Sequence, residues 1–231
     1  MLLTISAIDI SISILFIILS YLIGSIPFGL VLGKLICGKD IRLYGSKNIG
    51  TTNSVRVLGK KIGFTVFFLD VFKGMFVILI IALLEALGIW KNPQGIELFY
   101  YGGAAIIGHC YSCFLEFKGG KAVATSLGVI LVLTPIPAVL CLVIFLILLY
   151  ATGYVSVSST GATLTVLIST WVLHFIGLPE VNSYTDYLLH QSSLILCILY
   201  TGLATLIIVK HIKNYKRLLN GTENSFKKKK K

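Results

Sequence analysis

Charge is what this sequence has least of. Only 13% of its 231 residues are Asp, Glu, Lys or Arg, against 56% hydrophobic, and its mean hydropathy is +0.93. A soluble domain of this length needs a charged, solvated surface, so the composition excludes one. Apolar runs long enough to cross ~30 Å of hydrocarbon recur along the chain. The expectation is one all-α, multi-pass membrane domain over 1–231, with 226–231 as a basic tail and no room for a sizeable soluble part.

Several chemical devices are missing as well. The apolar N-terminus has no basic region before it and no small-residue cleavage site after it, so it reads as a retained first helix. Cys37, Cys141 and Cys197 sit in or beside apolar runs, where cysteine is usually a small hydrophobe. Cys110 and Cys113 form a C-x-x-C with no second pair to complete a zinc site, and no metal or other cofactor is expected. None of the four histidines has an Asp five residues later, which removes the usual carboxylate-oriented base for acyl transfer. There is no G-x-S-x-G elbow, no Walker loop and no tandem repeat.

The apolar runs set the topology. The first covers about Ile8 to Cys37 and is interrupted at Gly24-Ser25-Ile26-Pro27, where a kink or a break is expected. Ile62–Ile89 and Leu98–Leu115 follow, separated by a turn at Lys91–Gly95. Ala122–Tyr150 is either one long helix or, with Thr134-Pro135-Ile136-Pro137 as the break, two short ones in a hairpin. A run from Ser156 to about Gly177, a loop at Leu178–Asp186 and a last run to about Val209 complete the chain. Counting the broken run twice makes seven spans, with the N-terminus outside and the C-terminus cytoplasmic.

That count gathers the positive charge on one side. Of the twenty Lys and Arg, only Lys73 and Lys91 lie outside the segments Lys34–Lys61, Lys118–Lys121 and Lys210–Lys231. The positive-inside rule explains most of this excess. Nucleic acid is not an expected partner, because the basic segments are short loops between spans. The Lys227–Lys231 run suits anionic headgroups, or is a tail with no further role.

Two of these basic segments also look able to bind anions. Gly45-Ser46-Lys47-Asn48-Ile49-Gly50-Thr51-Thr52-Asn53, followed by Arg56, combines flexible backbone, hydroxyl and amide donors and a planar guanidinium. A helix starting near Asn48 would add its N-terminal potential. The same residues also suit an ordinary turn-rich cytoplasmic loop. Phe117-Lys118-Gly119-Gly120-Lys121 brackets a glycine pair with lysines, which suits a phosphate or simply a basic inside loop. Asp70 and Lys73, one helical turn apart in an apolar run, are either functional charges or a packing pair. Asp9 and Glu85 read as interfacial. His109, like His211 with Asn214 and Arg217 at the end of the last run, reads first as a packing residue. Ser156, Ser158 and Ser159 are at a helix start, where serine often only caps.

Taken in order, these segments resemble the bacterial acyl-phosphate:glycerol-3-phosphate acyltransferases, the PlsY family. The resemblance covers nearly the whole chain. Its carriers are Gly24–Pro27, Asp40-Ile41-Arg42 through Asn53 and Arg56, Asp70 with Lys73-Gly74, and Gly108-His109. Further along they are Phe117–Thr125, Tyr154-Val155-Ser156, and His211, Asn214, Arg217-Leu218 and Gly221-Thr222-Glu223.

The resemblance implies seven transmembrane helices in the bacterial cytoplasmic membrane and an active site facing the cytoplasm. It implies transfer of a fatty acyl group from acyl phosphate to the 1-hydroxyl of glycerol 3-phosphate, giving lysophosphatidic acid and phosphate, without metal or cofactor. Ser46, Arg56, Lys118, Lys121, Ser156 and Asn214 match its active-site positions, and His211 is a second choice for the base after a phosphate oxygen of the substrate. Gly45, Lys47, Asn48, Gly50, Asn53, Gly119, Gly120 and Lys121 are the expected phosphate contacts. The partners implied are the two substrates and membrane lipids, with a monomer as the working unit.

The chain departs from the family pattern at Lys47 and Ala122, both usually glycine, and at Thr51, usually alanine. The rival functions for these residues are an organic-phosphate transporter, which would need sites near the membrane midplane, and a non-catalytic scaffold.

Overall fold

A computed structural model of the chain describes residues 6–93, 96–176 and 194–226. The expected loop at Leu178–Asp186, the lysine run Lys227–Lys231, and Gln94 and Gly95 of the expected turn lie outside the described residues. Every regular element among the described residues is a helix. Six helical segments among the described residues are long and apolar enough to cross a membrane.

The chain divides into two compact units, residues 1–132 and 133–231. The first holds α1 (Ala7–Ser25), α2 (Phe28–Cys37), α3 (Thr51–Leu58), α4 (Lys60–Ala86), α5 (Leu98–Cys110) and α6 (Val123–Leu133), whose last residue falls at the boundary. Single 3-10 turns stand at Ile41–Leu43 and Cys113–Leu115. The interruption at Gly24–Pro27 is a break: α1 ends at Ser25, and Pro27 precedes α2. Pro27 has no N–H to continue the ladder of α1.

Small residues let these helices approach closely, as packing within lipid requires. A Cβ on Gly24 would overlap the Ala105 carbonyl, and one on Gly108 the Tyr21 carbonyl, so α1 and α5 meet backbone to backbone. Ser20 Oγ donates to the Tyr101 carbonyl at 2.6 Å across the same contact. On the other side, Gly74 of α4 lies against the Thr125 carbonyl, and Gly128 of α6 against that of Val71. At one end of this unit Asp9 accepts from Trp90 Nε1, and Glu85 from the Asn92 amide. Both carboxylates are thus tied to the loop after α4.

The second unit holds α7 (Pro135–Thr152), α8 (Val155–Ile176) and α9 (Leu194–Leu219). The prolines do break the 122–150 run, with Thr134 between α6 and α7. α6 has 11 residues, so it rises about 16 Å, short of the hydrocarbon thickness. In this unit α8 and α9 are joined by Thr160 and Tyr215, whose hydroxyls are 2.6 Å apart, and by Trp171 Nε1 donating to Thr201 Oγ1. α9 runs ten residues beyond the apolar limit expected at Val209. Lys210, Lys213, Lys216 and Arg217 are good helix formers, and the last two also face the negative end of the helix dipole.

Candidate active site

The glycine-rich loop after α2 is built around one side chain. Asn53, 1% exposed, accepts from the Ser46 amide through Oδ1 at 2.9 Å. Its Nδ2 donates to the carbonyls of Asn48 (2.9 Å), Ile41 (3.0 Å) and Tyr44 (3.2 Å). Asn53 was expected to touch phosphate, but its amide is spent on folding the loop, so it positions the loop instead. A turn-rich composition has become a fixed structure.

α3 begins at Thr51, not near Asn48. Asn48 Oδ1 takes the Gly50 amide at 2.9 Å, and Lys47 is left-handed at φ 59°, so no helix can start there. Gly50 is the N-cap without a side-chain cap bond, and Asn53 and Ser54 both donate to its carbonyl. The first amides of α3 therefore stand at an uncapped helix end, where an anion is favoured. Thr51 adds a buried hydroxyl with no hydrogen-bond partner among the described residues.

The loop's cations divide by partner. Arg42 is held by Asp40, with Nη2–Oδ2 at 2.6 Å and Nε–Oδ1 at 2.9 Å. That hydrogen bonding holds the Asp40 carboxyl down at about 2, and Lys34 lies 3.8 Å away. Arg56 and Lys47 have no acidic partner among the described residues. The Arg56 stem runs beside Gly45, which is left-handed at φ 59°, so its guanidinium belongs to the same stretch of loop as Ser46.

Lys47 occupies a backbone conformation that costs an L-residue roughly 1–2 kcal/mol. Lys47→Gly is expected to gain stability, by under about 1 kcal/mol once glycine's own entropy is counted. A raised KM for glycerol 3-phosphate alongside that gain would assign the lysine to substrate binding. Thermal unfolding in detergent and steady-state kinetics separate the two effects.

The second loop is pressed against α5. The Gly120 amide donates to the His109 carbonyl at 2.9 Å, and a Cβ on Gly120 would overlap His109 Nε2. A Cβ on Gly119 would overlap the His109 carbonyl. The glycine pair is thus required by close approach, and the Gly120 amide, expected to face phosphate, is already used. Lys118 is exposed and lies 3.3 Å from the exposed Glu116, a weak pairing that a phosphate can displace. Glu116, Phe117 and Ala122 are all left-handed, at φ 51°, 59° and 57°.

In the second unit the expected residues meet at a carboxylate that had been given no role. Glu223 accepts from Asn214 Nδ2 (2.7 Å) and Arg217 Nε (2.7 Å), and from Ser156 Oγ at 3.2 Å. Burial alone would raise this carboxyl, but its three donors and the Arg217 charge outweigh that and lower it. Ser156 is therefore not acting as a helix cap. Phe226 N–H donates to the Gly153 carbonyl at 2.7 Å, folding the chain after α9 back over the start of α8. His211 is buried, with Nδ1 2.8 Å from the Ile207 carbonyl and its ring stacked on Tyr215.

Because the folded-state value of Glu223 is lowered, its stabilising contribution is complete above the ordinary value of 4.5 and is lost as pH falls through the folded value. Wild type is thus expected to lose more thermal stability than Glu223→Gln on acidification below that range. Melting curves of the two proteins across pH 3–7 (roughly the carboxylate range) check this.

A family model described as glycerol-3-phosphate acyltransferase matches residues 14–221. The chain belongs to this family. A glycerol-3-phosphate acyltransferase of Acholeplasma laidlawii is 41% identical over 223 residues, covering 94% of each chain. One from Fusobacterium nucleatum is 43% identical, covering 92% of this chain and 97% of its own. The crystal structure of PlsY (YgiH), an integral membrane glycerol 3-phosphate acyltransferase, in its glycerol 3-phosphate form superposes with a TM-score of 0.76 at 36% identity, covering 93% of this chain and 96% of that one. Its lysophosphatidic acid form gives 0.72. The all-helical, integral membrane architecture expected from composition is that of the family.

Proposed function

We propose that this protein transfers a fatty acyl group from acyl phosphate to the 1-hydroxyl of glycerol 3-phosphate, releasing lysophosphatidic acid and inorganic phosphate. The observation that carries this reading is the loop ordered by Asn53. It gathers the Ser46 hydroxyl, the uncapped start of α3 and the unpaired Arg56 in one short stretch. The relatives' names and the glycerol 3-phosphate and lysophosphatidic acid forms of the solved PlsY structure support the acceptor and the product.

Two basic loops suit two phosphate-bearing substrates. Ser46, Arg56 and Lys47, with the Asn48 amide and the Gly45 backbone, serve one phosphate, whereas the Gly50 N–H is already held by Asn48; Lys118, Lys121 and Gly119 serve the other. Ser156, Asn214 and His211 match catalytic positions of the family pattern and take part in the reaction. An acyl phosphate is already activated, so positioning and charge neutralisation suffice without a covalent enzyme intermediate. The glycerol hydroxyl attacks the acyl carbon, and the carbon–oxygen bond to phosphate breaks. The proton passes to a phosphate oxygen of the substrate. No acyl-CoA, carrier protein or metal takes part.

The protein lies in the bacterial cytoplasmic membrane with seven spans, the N-terminus outside and both basic loops in the cytoplasm, in accord with the charge distribution. It is one catalytic domain over 1–231 and works as a monomer. The transporter reading, which rests on the same anion-binding loops plus Asp70 and Lys73, is weakened because those two charges pair with each other.

The test is phosphate release by purified protein given palmitoyl phosphate and glycerol 3-phosphate. Release that requires both substrates and is matched by lysophosphatidic acid is expected. A folded, lipid-supplied sample that releases none would overturn the reading.

A further inference from the structure

The buried Asp70–Lys73 pair sits on α4, and its surroundings connect it to the second basic loop. Lys73 Nζ is 2.8 Å from Asp70 Oδ1 and donates to the Ile26 carbonyl at 2.8 Å. That carbonyl belongs to the break that leads into α2 and the first loop. Lys73 Nζ also lies 5.5 Å from the centre of the Phe28 ring. Asp70 Oδ1 in turn lies 3.7 Å from His109 Nδ1, with both side chains almost wholly buried. At that distance the carboxylate packs beside the Nδ1 edge of the ring without a hydrogen bond between them, and the other edge points away from it. That edge, Nε2, faces Gly120, while the His109 carbonyl holds the Gly120 amide.

We infer that His109, oriented by the Asp70–Lys73 pair, is a positioning residue for the Lys118–Lys121 loop. Gly119 and Gly120 have no side chains of their own to fix the loop, and Glu116, Phe117 and Ala122 around them hold left-handed conformations that need outside support. The His109 ring and carbonyl are the surface on which that backbone rests. Lys118 itself is solvent-exposed with its ammonium beside Glu116, so the histidine acts on substrate through the loop. The inference rests on the proposed role of this loop in binding a substrate phosphate.

A double-mutant cycle tests it. Lys118→Ala and His109→Phe are each expected to raise the KM for one phosphate substrate about 10-fold, with kcat within about 3-fold; the melting temperature stays the same for exposed Lys118→Ala and falls for buried His109→Phe, which is assayed below its transition. Combined, they should cost clearly less than the product of the two, because the loop that the histidine positions has already lost Lys118 and keeps only Lys121. Multiplicative effects, or an unchanged KM in folded His109→Phe, would overturn the inference. If the phenylalanine variant does not survive extraction, His109→Leu replaces it and is read the same way. Wild-type turnover decides the reaction itself. Should wild type be inactive, the cycle is read on glycerol 3-phosphate binding by calorimetry, so failure of the reaction and failure of the coupling stay distinct.

Discussion

Arg56→Ala is expected to lower kcat/KM by about 100- to 1000-fold, the usual cost of removing one preorganised donor from developing charge, while leaving the melting temperature unchanged. The structural reason is what Arg56 does not do. It is exposed and makes no ion pair among the described residues, so the fold does not depend on its charge. Arg42, only fourteen residues earlier in the same region, is the built-in control. Its guanidinium is occupied by Asp40, and Arg42→Ala is expected to cost a few-fold at most, as an exposed pair does. Arg56→Lys, which keeps the charge and loses the planar fork, should fall between, about 10-fold down. Steady-state kinetics with palmitoyl phosphate and glycerol 3-phosphate measures all three. Equal losses for Arg42→Ala and Arg56→Ala would remove Arg56 from the phosphate site.

The parts of the fold that follow from strong local rules were legible. Pro27 removes a donor, and α1 stops at Ser25; Pro135 does the same after α6. The end of α9 was not legible from hydropathy, because hydropathy reports where lipid ends and a helix can continue into water. Lys210–Leu219 is polar and helical at once.

The candidate site divides in the same way. The residue types in the first loop pointed to anion chemistry, but their division of labour depends on side-chain partners that spacing cannot supply. Asn53 and Arg56 are three apart, yet one is consumed by the loop and the other is unpaired. Glu223 was visible only as part of a resemblance; its three donors come from α8 and α9, the farthest of them, Ser156, sixty-seven residues before it in the chain. The departures at Lys47 and Ala122 acquire a physical meaning only from the backbone. Both positions are left-handed, which is where glycine is at home and where this chain bears strain instead.

Lys73→Met carries the largest expected loss of stability, about 3–5 kcal/mol, because it strands Asp70 as a buried unpaired charge. It also takes the only side-chain donor from the Ile26 carbonyl among the described residues. Adding Asp70→Leu should return much of the loss, since an apolar pair of similar size in place of a buried ion pair is often neutral. Recovery is expected to stop short by about 1.5–3 kcal/mol, the worth of one hydrogen bond from a charged donor, while the Phe28 N–H still donates to the Ile26 carbonyl at 3.2 Å. Thermal unfolding in detergent of wild type, both single variants and the double variant gives the coupling directly. The kinetics of the double variant then separate two roles of one pair. If the pair only glues helices, restored stability brings restored KM. If Asp70 also orients His109 beneath the Lys118–Lys121 loop, the double variant folds and still binds substrate poorly. A Lys73→Met protein as stable as wild type would show that the α1–α2 break is held by something other than this pair.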